Sequence, residues 1–132
     1  MTKVAIFSDL DAVELDRLAR QNGFRTMGSR TWARRTAEFV QVVNLQRSQW
    51  SNETRYLNFA LWPLALGEPT SFAESKFHFR TRAESMAARG LREFFTEADK
   101  LTTLVELAEA LETNRISGLV SKDLRPLLTP RA

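Results

Sequence analysis

The sequence predicts an α+β fold: an antiparallel sheet, a meander of about five strands, with an N-terminal helix and C-terminal helices packed on one face. Three observations point to it. Residues 38–62 read as one β-hairpin, with two arms rich in β-branched and aromatic residues around a polar turn near Ser51-Asn52-Glu53. Short β-prone runs lie before and after it. Helical periodicity occupies the two ends, and the order helix, strands, helices argues for α+β.

The first helix is expected within residues 8–22, where Phe7, Leu10, Leu15 and Leu18 fall on one side and Asp11, Glu14 and Arg17 lie away from it. Gly23 is its natural stop, because glycine tolerates the left-handed conformation that follows a helix. Residues 24–27 and 31–35 read as two strands around a Gly28-Ser29 turn. The hairpin arms, 39–47 and 56–62, follow. Pro63 ends regular pairing, because it has no N–H to donate to a ladder. Residues 64–75 are a loop anchored by Leu64, Leu66 and Phe72. A fifth strand is expected at 76–82, with Phe77 and Phe79 opposite His78, Arg80 and Arg82. Residues 83–89 are helix-permissive up to Gly90. The clearest helix is 97–113, where Leu101, Leu104, Val105, Ala108 and Leu111 keep helical spacing and Thr96 stands as cap with Asp99 three residues on. Asn114 is its stop. Short helical pieces around Ile116, Leu119, Val120, Leu124, Leu127 and Leu128 return to the core, and residues 129–132 fray.

The chain has 132 residues, enough for one domain with a real core, and residues 1–132 are read as a single unit. Its 43% hydrophobic and 27% charged residues fit a soluble globular protein. No apolar run reaches the roughly 20 residues of a membrane span, and the start is too short for a signal peptide. A cytoplasmic location is the default expectation. With no cysteine there is no thiol nucleophile and no thiolate metal site. The formal charge is +3, and only four of nineteen basic residues are lysine, leaving fifteen arginines. Arginine suits bidentate contacts to carboxylate or phosphate; high-GC coding favours it as well.

Alternation sorts the strands into two faces. Leu57, Phe59 and Leu61 share one, with Phe39, Val43 and Leu45, interrupted by Gln41. These must face the helices. Asn44, Gln46, Ser48, Tyr56, Asn58 and Trp62 are left on the opposite side, and Trp32, Arg34, His78 and Arg80 are candidates to join them. Amides, aromatics and arginines are unusual on a water-facing sheet. They read either as ordinary cross-strand ladders or as a binding surface, since aromatics with arginine make up binding hot spots. Trp32, Arg34, Gln46, Trp50, Tyr56, His78 and Arg80 are the candidate binding residues.

No catalytic pattern accompanies them. His78 is the one histidine and lies between two phenylalanines, which favours a strand histidine over a ligand. Gly28-Ser29 lacks the second glycine of a nucleophile elbow, and five glycines form no phosphate loop. No enzyme activity, cofactor or metal is therefore expected. Arg25, Arg30, Arg34, Arg35, Arg47 and Arg55, with Trp32, Trp50 and Tyr56, keep a nucleic-acid interface open as an alternative.

Gly23-Phe24-Arg25, Trp32-Ala33-Arg34, the run from Val43 to Trp50 and Tyr56-Leu57-Asn58-Phe59-Ala60 resemble a bacterial family known as domain of unknown function 4304. His78-Phe79-Arg80-Thr81-Arg82 is similar to its later short motif, and the resemblance covers about residues 5–90. It implies a bacterial α+β protein and carries no activity from which a catalytic residue could be transferred. The polar positions that match are Asn44, Gln46, Ser48, Asn58 and Arg80. The expectation is a non-enzymatic module of immunity or adaptor type, by analogy with other small bacterial domains, that binds a protein partner through the amide, aromatic and arginine face.

Overall fold

A computed structural model describes residues 12–28, 30–47 and 55–129. The expected helix start with Phe7 and Leu10, the turn at Ser51-Asn52-Glu53, Ser48, Trp50 and residues 130–132 lie outside them. The elements run α1 (Ala12–Gln21), β1 (Arg25–Thr26), β2 (Thr31–Arg35), β3 (Phe39–Arg47), β4 (Arg55–Pro63), β5 (Phe79–Arg82), α2 (Leu91–Ala98), α3 (Leu104–Glu112), β6 (Leu119–Val120) and α4 (Arg125–Leu128). The sheet is antiparallel throughout, in the order β1-β2-β3-β4-β5-β6. The fold is α+β as expected, with a sixth strand beyond the five anticipated.

The hairpin is the centre of this sheet. Its arms pair from Phe39 opposite Pro63 to Arg47 opposite Arg55, with Asn44 opposite Asn58. Alternation therefore puts Phe39, Gln41, Val43 and Leu45 with Leu57, Phe59 and Leu61 on one face. That face carries the main core, against Leu15, Leu18, Phe94, Phe95, Leu101 and Leu107 of the helical layer. Edge-on aromatic contacts lock it: Phe59 to Phe94 at 5.6 Å, Phe94 to Phe95 at 5.0 Å and Phe24 to Phe95 at 5.5 Å. Gly23, with φ +86°, ends α1 as expected, and Asn114, with φ +61°, follows α3.

The single helix expected at 97–113 is two. Lys100 to Thr102 separate α2 from α3, and Thr103, not Thr96, is the cap. Thr103 Oγ1 accepts the Glu106 N–H at 3.2 Å, while the Glu106 carboxylate takes the Thr103 N–H at 3.1 Å. This is a capping box. Thr96 sits inside α2 and donates to the Arg92 carbonyl. The hairpin fixes the junction between these helices. Glu38 donates its N–H to the Thr102 carbonyl, and its carboxylate accepts the Leu104 N–H at 2.6 Å.

Three more expectations change. Strand five starts at Phe79, because residues 74–76 form a 3-10 turn. Phe77 thus lies outside the strand and joins the opposite side from Phe79. Residues 83–89 give only the 3-10 turn Ala83–Ser85. Leu119 and Val120, expected to be helical, pair with Arg80 and Phe79 as the edge strand β6. Gly118 permits this approach, since a Cβ there would sit 2.5 Å from the Arg80 carbonyl oxygen.

Candidate functional site

The second face of the sheet is divided. Near Pro63 it is covered by the chain that follows. Ala33, Val40, Val42, Ala60 and Phe77 are buried there, with Trp62, Leu64 and Phe72 packed on them. The Trp62 indole N–H donates to the Gly67 carbonyl at 2.8 Å, which ties the loop down. Toward the other end of the hairpin this cover is replaced by polar side chains: Asn44 and Gln46 from β3, Tyr56 and Asn58 from β4, Arg80 and Arg82 from β5.

An amide ladder crosses this part. Asn58 Nδ2 donates to Asn44 Oδ1 at 3.2 Å and to Gln46 Oε1 at 2.9 Å. Asn44 Nδ2 in turn donates to Thr31 Oγ1 at 3.1 Å and the Arg30 carbonyl at 3.2 Å. Asparagine is a poor strand former, and this ladder is the compensation. Asn58 is only 5% exposed, so it needs these partners.

Beside the ladder lies a hollow of about 480 Å³, lined by Gln46, Asn58, Arg80, Arg82, Gly118 and Leu119. Glu74, Thr81 and Ser85 complete its wall. The Arg82 guanidinium lies over the Tyr56 ring, 4.0 Å from its centroid. Arg80 donates from Nη1 to the Ser75 carbonyl at 3.2 Å, but its buried Nε has no hydrogen-bond partner. The Glu74 carboxylate is 4.0 Å from that Nε, an ion-pair distance too long for a hydrogen bond.

The geometry brings together Gln46, Tyr56 and Arg80 from the candidate residues. Trp50 lies outside the described residues. His78 stands apart from the hollow, its Nδ1 2.7 Å from Ser121 Oγ and its ring 4.5 Å from that of Trp62.

Trp32 and Arg34 are corrections, because both face the helices. Trp32 pairs with Val43 and is buried in the main core. Its indole N–H donates to Asp16 Oδ1 at 2.8 Å, and this bond, assisted by Arg20, holds the Asp16 carboxyl below its ordinary pKa against a smaller opposing effect of burial. Arg34 pairs with Gln41, with only 13% of its side chain exposed. Its three nitrogens donate to Gln41 Oε1, the Asn22 carbonyl and Asp99 Oδ1, each at 2.8 Å, and the guanidinium stacks on Phe24. These bonds engage it inside the fold. An arginine on an apolar face was unfavourable to predict, because its acceptors come from distant parts of the chain.

Reasoning from sequence left Arg82, Asn58, Glu74, Ser85, Gly118 and Leu119 out of the candidate set. Alternation along β5 already marked Arg82, which shares the face of Arg80. Nothing local marked Gly118 or Leu119, whose place depends on β6 docking beside β5.

Among the described residues no three His, Asp or Glu side chains gather as metal ligands, and no helix is long and apolar enough to cross a membrane. No curated protein and no solved structure matches the chain. A family model matches residues 15–130, taking in the C-terminal helices as well as the sheet, and the chain belongs to that family, described as Domain of unknown function (DUF4304).

Proposed function

We propose that the protein is a bacterial, non-enzymatic binding module of the cytoplasm, of immunity or adaptor type, which holds a protein partner against the polar half of its second sheet face. The observation that supports this is the division of that face. One half is packed over by the protein's own loop. The other presents an aromatic ring, two arginines and an amide ladder around a hollow, a combination typical of interface anchors. Tyr56 and Arg82 are stacked in advance, which lowers the entropic cost of ordering them on binding. Gln46, Tyr56, Arg80 and Arg82 carry the contact, and Asn58 holds the ladder beneath them.

The nucleic-acid alternative draws less support. Its arginine and aromatic set is dispersed: Trp32 is in the core, Arg34 is engaged internally, and Arg35 pairs with Glu68 at 2.6 Å. A photo-crosslinking residue at Gln46, in the native host, tests the reading. One protein partner should be captured from that position and not from the same label at Arg92 on α2. Capture of RNA or DNA at Gln46 would favour the alternative, and equal capture at both positions would remove the face from consideration.

A further inference from the structure

We infer that the hollow between β4, β5 and β6 is a carboxylate-binding site, in which Arg80 and Arg82 anchor one carboxylate group of the partner. The inference rests on the proposed role of this face and names the chemistry that the face recognises.

The first support is the state of Arg80. Its Nε is shut away from solvent without an acceptor, while Nη1 is occupied by the Ser75 carbonyl. A buried N–H without a partner is unfavourable. Glu74, at 4.0 Å, offsets part of the charge without supplying a hydrogen bond. The sealed Nε is out of a ligand's reach, but among the described residues no hydrogen bond engages the other terminal nitrogen, Nη2, and 38% of the side chain is exposed, so a carboxylate entering the hollow meets an open guanidinium donor.

Arg82 supplies the second anchor. It is two residues along β5, on the same side of the sheet, about 7 Å away along the strand. Tyr56 takes one flat face of its guanidinium, and stacking leaves the N–H edge free to donate. Among the described residues no carboxylate oxygen lies within 4.0 Å of it.

Charge selects among anions. Two arginines and Glu74 line the hollow, a formal balance of one positive charge. One carboxylate neutralises that balance, whereas a dianionic phosphate overshoots it beside Glu74. The volume, about 480 Å³, also admits the side chain or chain end that bears the carboxylate. Leu119, 64% exposed, offers an apolar rim for its stem. Gly118 keeps that wall bare, since a Cβ there would collide with the Arg80 carbonyl.

The test is a titration of the full chain followed by NMR at the Arg80 and Arg82 Nε–H groups and the Gln46 and Asn58 side-chain amides. Four probes are used: an acetylated and amidated Gly-Glu-Gly peptide, its Gly-Gln-Gly counterpart, an acetylated tripeptide with a free C-terminal carboxylate, and inorganic phosphate. Saturable shifts with a carboxylate peptide and none with the glutamine peptide are expected. The stronger of the two carboxylate peptides identifies the source, side chain or chain end. Arg82→Gln should weaken the affinity at least tenfold, and so should Arg80→Lys, which keeps the charge but loses the fork. No saturation with either carboxylate, tighter binding of phosphate, or unchanged affinity in both variants would overturn the inference. A partner crosslinked at Gln46 while both carboxylate peptides stay silent defeats the carboxylate site and leaves the partner-binding role standing. Peptide binding without any crosslinked protein does the reverse.

Discussion

Arg34 and Gln41 face each other across β2 and β3, and the Arg34 Nε donates to Gln41 Oε1 at 2.8 Å. Gln41 is fully buried, and its amide nitrogen donates onward to the Ala98 carbonyl at 2.8 Å and the Leu101 carbonyl at 3.1 Å. Arg34 meanwhile reaches the Asn22 carbonyl and Asp99. The two side chains thus tie the ends of α1 and α2 to the middle of the sheet. The carbonyls at a helix C-terminus have no partners inside the helix, and Gln41 supplies one for the end of α2.

Gln41→Leu keeps the size of the side chain and removes this junction. It leaves the Arg34 Nε and the Leu101 carbonyl without this partner, while the Ala98 carbonyl keeps the Leu101 N–H at 3.1 Å, and each buried group left unsatisfied costs roughly 1–3 kcal/mol. The expected loss exceeds about 2 kcal/mol, read from urea unfolding. A midpoint within error of the parent would show that water replaces the amide there.

The amide ladder carries stability as well as shape. Asn58→Ala removes the buried amide of the ladder and leaves Asn44 Oδ1 without its donor, while water reaches the exposed Gln46, with an expected cost of about 1–3 kcal/mol. Asn44→Ala should cost less, because Asn44 is only half-buried and water reaches its partners. Thermal melts of the two variants rank them, and the reverse order would contradict this account.

Helix α3 separates buried from half-buried leucine. Leu107 is fully buried and Leu104 only flanks the core. Leu107→Ala should cost about 2–5 kcal/mol through the cavity it leaves, and Leu104→Ala clearly less. Chemical denaturation of both variants checks the order.

The capping box predicts acid sensitivity. Burial pushes the Glu106 carboxyl up, but N–H and hydroxyl bonds from Thr102 and Thr103 together outweigh it, so its pKa falls below the ordinary 4.5. A carboxyl whose folded pKa is lowered stabilises the fold above its unfolded pKa and loses that contribution as pH falls through the folded value. Glu106→Gln should therefore be less stable than the parent at pH 7. The difference should shrink as pH drops below 4.5, measured by denaturation across the acid range. A constant difference from pH 7 to pH 3 would rule out the ionised cap as its source.

Alternation, turn chemistry and capping made much of this protein legible in advance. The split of β3 and β4 into an apolar face and an amide face followed from period two, whereas the register that sets Asn44 directly opposite Asn58 is one that alternation leaves open. Gly23 and Asn114 marked the ends of their helices. The split between α2 and α3 was also written locally, as Thr103 followed three residues later by Glu106. It was obscured because Leu101, Leu104 and Leu111 fit one continuous periodicity equally well.

What the sequence determined by itself was therefore local: strand parity, helix ends and the hairpin at the centre. The facing of Trp32 and Arg34 was not local. An arginine on the core side is tolerable only with acceptors in place, and Asp99, 65 residues away, arrives when α2 docks on the sheet. The hollow is decided in the same way. Arg80 and Arg82 are visible in any alternating strand, but its walls are Glu74, Ser85, Gly118 and Leu119, brought together by the loop, the 3-10 turn and β6. Alternation depends on neighbouring residues and can be read from them. Burial of a charge, and the shape of a cavity, depend on which distant segments close over it, and only the tertiary structure settles that.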